Sequence, residues 1–349
     1  MRAPRHTRAA AGAAAAALCA LAVSAAAVVP AAADPAHAAD KDALSFAVIG
    51  DVPYGAADIG TFPSKVADIS ADPGLDFAVH VGDIKSGSMQ CTDAYFERIR
   101  SDFDAFTVPL VYTPGDNEWT DCHRASNGSY NPLERLATLR EVFFDRPGRT
   151  LGATMPVASQ DSLGLPENVS FTHSRVAFAA LHIVGSNNSM MPWSGLGLTE
   201  PTPEQAAEVE ARTEAGLALM RETFAAARQR NDRAVVLFTQ ADMFDPGYQD
   251  GWQIDAFTPF VQALIEESEA FGGPVYLFDG DSHSYHEDRP LAEGSVWLER
   301  YGVEGSADGL QRVTVDGAAG VDNWLRVAVA PNALRDGDVV SWQRIPYSG

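Results

Sequence analysis

SFAVIGD, residues 45–51, is an unbroken apolar run that ends on a Gly-Asp pair. A run apolar at every position, not at alternate ones, describes a strand buried on both faces, as in a parallel sheet. The same form recurs outward from it: DFAVHVGD at 76–83, PLVYTPGD at 109–116, AVVLFTQ at 234–240 and VYLFDGD at 275–281. Stretches with helical spacing lie between the runs. Thr92–Phe106 places Tyr95, Phe96, Ile99, Phe103 and Phe106 on one face, and Asn131–Phe144 does so with Leu133, Leu136, Leu139 and Val142. Ser64–Ser70, Pro203–Arg230 and Ala256–Phe271 also read as helices, and Val169–His173 with Ala177–Val184 as a hairpin turning at Ser174-Arg175. Residues 146–167 read as a Pro/Gly/Ser-rich loop, and after residue 290 only strand-like pieces are expected. Such alternation predicts an α/β layered fold. Folds of this kind place their sites outside the carboxyl ends of the strands. A lone Asp there is usually turn chemistry or a helix cap. Four strand ends bearing Gly-Asp, with His283 close behind the last, predict a site.

Residues 1–38 are expected to be a signal peptide: Arg2, Arg5 and Arg8 precede an Ala/Leu/Val run, and small residues near Ala33 and Ala38 suit cleavage. A membrane anchor is the competing reading, but the run is mostly Ala and cleavable sites follow it directly. The protein is therefore expected to be secreted, with residues 42–349 forming one domain and no transmembrane segment after processing. Removing residues 1–33 takes away three Arg and no acid, moving the net charge from −22 to −25. That surface, without a Lys/Arg cluster, offers no nucleic-acid groove. Cys91 and Cys122 read as one disulfide in an exported chain, with a metal pair or two free thiols as the alternatives.

The ordered set Gly50-Asp51, Gly82-Asp83, Gly115-Asp116-Asn117-Glu118 and Gly280-Asp281-Ser282-His283 resembles the calcineurin-like metallophosphoesterases, especially their purple acid phosphatase branch. The likeness runs from about Ser45 to Arg289. It implies a four-layer α-β-β-α sandwich of two mixed sheets with one or two divalent metal ions at the sheet edge. Carried over by position, it implies Asp51 and His283 on one metal, Asp83 bridging, and Asp116, Gln240 and Asp281 completing the second. Several positions depart from the pattern. Pro53 replaces the His of the first motif, Ser86 stands where the purple branch carries a Tyr ligand, and Asp116, Gln240 and Asp281 replace Asn and two His. Donors that are all oxygen at the second position favour Mg, Mn or Ca over Zn, whereas the first, with one His and two Asp, suits Fe, Mn or Zn.

What the resemblance implies is a secreted phosphoesterase acting on a phosphorylated small molecule or lipid through hydroxide activated by metal. No protein nucleophile is advertised by GxSxG, a P-loop or a reactive Cys. Asn117 occupies the position of a His thought to steady the transition state or protonate the leaving group. An amide can hydrogen-bond phosphate but cannot supply a proton. His123 and His286 are the candidates for that proton, and Asn117 and Lys85 are the candidates for touching phosphate. Glu118 is expected to orient its neighbours, His80 to be a core histidine, and Asn187 and Asn188 are open to substrate contact. The alternative is a non-catalytic descendant of the fold that binds a cation or phosphorylated ligand.

Overall fold

β1 (Leu44–Ile49) is buried at all six positions, as an unbroken apolar run demands. It pairs in parallel with β2 (Phe77–His80), which pairs in parallel with β3 (Pro109–Tyr112). The computed structural model describes residues 44–248, 251–335 and 337–348, so the expected signal peptide lies outside the described residues. No helix among those residues is long and apolar enough to cross a membrane.

Among the described residues the strands form two mixed sheets. Antiparallel partners extend the first: β4 (Leu151–Gly152) beside β3, and β12 (Asn323–Val329) then β13 (Val340–Pro346) beside β1, giving the order β13-β12-β1-β2-β3-β4. The second contains β5 (Ala158–Gln160), β6 (Leu165–His173), β7 (Val176–Ala180), β8 (Ala234–Phe238), β9 (Val275–Asp279), β10 (His286–Asp288) and β11 (Leu310–Thr314). Its order is β10-β11-β9-β8-β7-β6-β5, with β7, β8, β9 and β11 parallel.

The sheets meet face to face through aromatic side chains. Phe46 stacks on Phe77 at 4.7 Å between ring centroids and meets Phe178 and Phe238 edge-on at 5.7 and 5.9 Å. Offset and edge contacts of this kind match the ring quadrupoles as well as burying area. Helices Gly55–Ser70, Asp93–Asp104 and Pro132–Phe143 cover the outer face of the first sheet, burying Phe62, Phe96, Phe103 and Phe143. Helices Pro203–Arg230 and Thr258–Phe271 cover the second through Leu219, Phe224, Phe260 and Leu264. This is the four-layer α-β-β-α sandwich.

Four elements depart from the sequence reading. The first helix begins at Gly55, not Ser64, and runs through Pro63. Gly60 and Pro63 mask it in sequence, yet Phe62, Val66 and Ile69 line one face and hold it on the sheet. Residues 146–167 are not all loop, because β4 and β5 lie there as edge strands too short to show periodicity. A helix, Val296–Tyr301, also stands beyond residue 290, capped by Ser295.

Cys91 and Cys122 form a disulfide with Cα atoms 5.9 Å apart, closing a separation of 31 residues between the loops after β2 and β3. Loop-closure entropy for such a separation corresponds to about 3.5–4 kcal/mol. Reduction is expected to lower the urea midpoint accordingly, read by comparing denaturation with and without dithiothreitol.

His80 is wholly buried in β2. Its Nδ1 accepts from the Gly82 N–H at 3.2 Å, and Nε2 lies 2.9 Å from the Val52 carbonyl. That pairing requires a neutral ring with its proton on Nε2. Burial pushes the pKa down from 6.5 to about 4, with the Val52 bond pulling the other way. The unfolded chain therefore takes up this proton first as acid is added. Stability from this site is full above pH 6.5 and is lost towards pH 4, by about 3 kcal/mol. His80→Gln is expected to flatten the stability–pH curve in that window, measured as the difference from wild type.

Candidate metal centre

Parallel strands point their carboxyl ends the same way, and five such ends converge here. β1 delivers Asp51, β2 Asp83, β3 Asp116 and Asn117, β8 Gln240, and β9 Asp281 and His283. Asp51, Asp83, Asp281 and His283 sit at φ of 53°, 58°, 70° and 62°, the left-handed region that side chains with a Cβ seldom adopt. Four such residues at one place match strain stored at a functional site. Close backbone approach holds them. A Cβ on Gly115 would lie 2.1 Å from Asp83 Oδ1, and one on Gly280 would lie 2.4 Å from Asp51 Oδ2.

Two groups of side chains could each hold a metal ion: Asp51, Asp83 and His283, and Asp83, Asp116 and Asp281. Within each group the donor atoms lie within 4.8 Å of one another. Asp83 belongs to both. Glu118 fixes that residue from behind: its Oε1 accepts from the N–H groups of Asp83 and Gly115 at 3.1 and 2.7 Å and from the Tyr112 hydroxyl at 2.9 Å.

The donor set fits cations. Asp51 and Asp83 are fully buried, and burial drives their carboxyls, like that of Asp281, well above the usual range, with the neighbouring acids adding to it. Among the described residues no Lys or Arg forms an ion pair with Asp51, Asp83, Asp116 or Asp281; the basic side chain beside Asp51 is His283, with Nε2 3.4 Å from Oδ1. Such crowding needs positive charge from outside the chain, as protons or as metal.

Four of the expected site residues make other contacts in the structure. Gln240 does not turn its oxygen to the cluster. Oε1 accepts from the Gly185 N–H at 2.7 Å while Nε2 donates to Asp116 Oδ1 at 3.4 Å. Flipping the amide would set like against like at both ends, so Gln240 turns its N–H to the carboxylates. Lys85 is wholly buried with Nζ on the Asn117 carbonyl at 2.6 Å. Burial lowers its pKa to about 8 against the pull of Glu118 and Asp121. His123 is also buried. Its Nδ1 accepts from the Gly195 N–H at 3.0 Å, and burial with Arg124 lowers its pKa to about 4, so it is an unprotonated ring near neutrality. His286 stands exposed on edge strand β10 beside Asp288 at 3.2 Å. No hydrogen bond or ion pair of either histidine among the described residues reaches the cluster. Asn117 does reach it, donating from Nδ2 to Asp83 Oδ2 at 2.7 Å and to the Tyr54 hydroxyl at 2.8 Å.

Sequence reasoning passed over the residues that complete the wall. Tyr54 packs edge-on to His283 and donates to Asp83 Oδ2 at 3.0 Å. Ser186 donates to Asp116 Oδ2 at 2.8 Å and reaches Asp121 Oδ1 at 3.2 Å. Asp121 is itself buried, its carboxyl pushed up to about 8 by burial and then by Asp116. Ser186 lies in an unusual segment: Ser186, Asn187, Asn188 and Ser189 all have φ between 51° and 69°, a complete left-handed turn. Asn188 is buried and bound to Arg212, not open to substrate. The only signal for this turn was the run of Asn and Ser, the polar residues that tolerate that conformation.

No known family model matches the chain, and no curated protein matches it either. Solved structures similar to it include NAD nucleotidase of Haemophilus influenzae, at 15% identity and TM-score 0.42, covering 87% of this chain and 50% of that one. A purple acid phosphatase from yellow lupin (Lupinus luteus) seeds follows at 13% identity and TM-score 0.45, covering 83% and 50%. The GAP50 anchor of the inner membrane complex of Plasmodium is similar at 10% identity and TM-score 0.43, covering 88% and 90%. The chain spans about half the length of the first two.

Proposed function

We propose that this protein is a metal-dependent phosphoesterase of the calcineurin-like kind, acting outside the cytoplasm on a phosphorylated small molecule or lipid. The observation that carries this reading is the pair of acid-rich groups sharing Asp83 at the ends of parallel strands. Asp51, Asp83 and His283 would hold one cation, and Asp83, Asp116 and Asp281 the other. Bound there, such ions would supply polarisation of a phosphoryl group and activation of water.

The chain's own residues do the rest. Glu118 and Gln240 hold the carboxylates at fixed angles, and the Asn117 amide ties Asp83 to Tyr54. The disulfide ties together the two loops that carry Asp83 and Asp116. With Asn117 unable to give a proton and His123 and His286 engaged elsewhere, the reading predicts a steep dependence on leaving group. Aryl phosphate mono- and diesters should turn over and alkyl esters lag far behind. The test is nitrophenol release by metal-free protein supplied with Mn, Mg, Ca, Fe or Zn. Turnover with none of them, in folded protein, would sink the reading.

The missing imidazole at residue 117 also supports a second reading, a non-catalytic cation- or phosphate-binding protein. It predicts thermal stabilisation by metal or phosphate without any hydrolysis.

A further inference from the structure

We propose that Arg124 binds the phosphoryl group of the substrate, and that the free edge of its guanidinium makes the site selective for phosphate monoesters over diesters. The inference deepens the reading above and rests on it.

The backbone of Arg124 is fixed on every side. Its N–H donates to the Asp121 carbonyl at 3.0 Å, and its own carbonyl accepts from Asn127 and Ser129 at 2.9 and 3.1 Å. The Cys91–Cys122 disulfide anchors the chain just before it. A Cβ on Gly195 would lie 2.1 Å from the His123 carbonyl oxygen and 2.9 Å from Arg124 Cα, so that loop also packs close. One arm of the guanidinium is tied to the cluster. Nη1 pairs with Asp121 Oδ2 at 2.6 Å and donates to the Gly87 carbonyl at 3.3 Å. Ser186 joins Asp121 Oδ1, at 3.2 Å, to Asp116 Oδ2, at 2.8 Å. Residue 87 has to be glycine for this, because a Cβ there would meet Asn117 Oδ1 at 2.7 Å and Arg124 Nη1 at 2.9 Å. The guanidinium therefore lies alongside the amide whose Nδ2 holds Asp83.

The rest of the guanidinium is unused. Among the described residues Nε and Nη2 form no hydrogen bond, and the side chain is 44% exposed. The Nε–Nη2 edge is the fork that takes two oxygens of one anion at once. Elsewhere in this chain the same edge is filled: Arg140 grips Glu167 with it, Arg230 grips Asp232, and Arg312 grips Asp288. An arginine that only neutralised Asp121 would need Nη1 alone. Electrostatics favours an anion at the free edge. Four aspartates balance two dications, so the loaded cluster offers an anion no net charge, and Lys85 is turned inward. Arg124 supplies that charge. A monoester carries three non-bridging oxygens and up to two negative charges, whereas a diester carries two oxygens and one charge. The fork therefore adds more to binding of the monoester.

The test titrates inorganic phosphate into manganese-loaded protein by calorimetry, with bound metal followed by elemental analysis. Arg124→Gln and Arg124→Lys are each expected to weaken phosphate binding about tenfold or more, with metal content unchanged. Lysine keeps a charge opposite Asp121 but has no fork, so it separates phosphate binding from simple neutralisation. Arg98→Gln removes the same charge from an exposed pair with Asp102 on an outer helix and should leave the affinity as it was. In turnover, kcat/KM of Arg124→Lys should fall about tenfold or more for nitrophenyl phosphate and about threefold at most for bis(nitrophenyl) phosphate. Should Arg124→Gln fail to fold, Arg124→Lys carries the test. Phosphate affinity kept in Arg124→Lys, lost equally in Arg98→Gln, or lost only along with the metal overturns the assignment, as does an equal fall for the two esters. Each of those results leaves the functional reading standing. A wild type that holds metal yet neither binds phosphate nor cleaves either ester would overturn both.

Discussion

Asp83→Asn is expected to lower kcat/KM for an aryl phosphate by about a thousandfold or more, corresponding to about 4 kcal/mol of lost transition-state stabilisation. Asp83 is the carboxylate common to both cation groups, so its loss weakens two sites, where Asp51→Asn or Asp281→Asn would weaken one. The amide keeps the shape and can still accept the Asn117 N–H that Oδ1 accepts at 3.1 Å. What disappears is charge, together with the two hydrogen bonds that Oδ2 accepts from Tyr54 and Asn117. Bound metal should fall with activity, and the stabilisation that saturating metal confers, about 2.7 kcal/mol at a hundredfold excess over Kd, should shrink towards zero. Steady-state kinetics beside metal-dependent melting checks this. Full activity with undiminished metal in the variant would remove Asp83 from its bridging place.

Arg212→Met should cost about 3–5 kcal/mol of folding stability, because the guanidinium is wholly buried and fully used. It donates to Glu208 at 2.8 and 3.0 Å, to the His182 carbonyl at 3.1 Å, to the Asn188 carbonyl at 2.9 Å and to Asn188 Oδ1, and it lies over the Trp119 ring. Methionine fills the volume but leaves two carbonyls buried without donors. Each residue of a left-handed turn costs about 1–2 kcal/mol, so the segment Ser186–Ser189 persists only while such contacts hold it. Loosening it also frees Ser186 from Asp116. The variant should therefore show a lower urea midpoint and weaker metal binding. A change below 1 kcal/mol would mean that Gln205, which donates to the Ser189 and Met191 carbonyls at 2.5 and 2.8 Å, holds the turn by itself.

The parallel strands were legible because burial on both faces leaves an unmistakable apolar run, and four of the five runs carry Gly-Asp at the end facing the site. Asp51, Asp83, Asp116, Asp281 and His283 follow from that pattern, and the structure gathers all five. Residues whose role depends on contacts distant in sequence were not legible. The direction of the Gln240 amide is set by Gly185, 55 positions away. Tyr54 looks like any tyrosine after a proline until the fold brings His283, 229 positions on, beside its hydroxyl. Lys85 follows the bridging aspartate and so seemed free to meet phosphate, but the loop turns its amine inward to the Asn117 carbonyl. Pro63 hid half a helix for a local reason: propensity argues against it, and packing of Phe62, Val66 and Ile69 overrides propensity.

The sharing of Asp83 by two cations is tested by anomalous scattering from crystals of the protein loaded with manganese. Two peaks are expected flanking the Asp83 carboxylate, one beside Asp51 and His283 and the other beside Asp116 and Asp281. No peak at Asp83 in fully loaded crystals, or manganese bound only elsewhere, would contradict it.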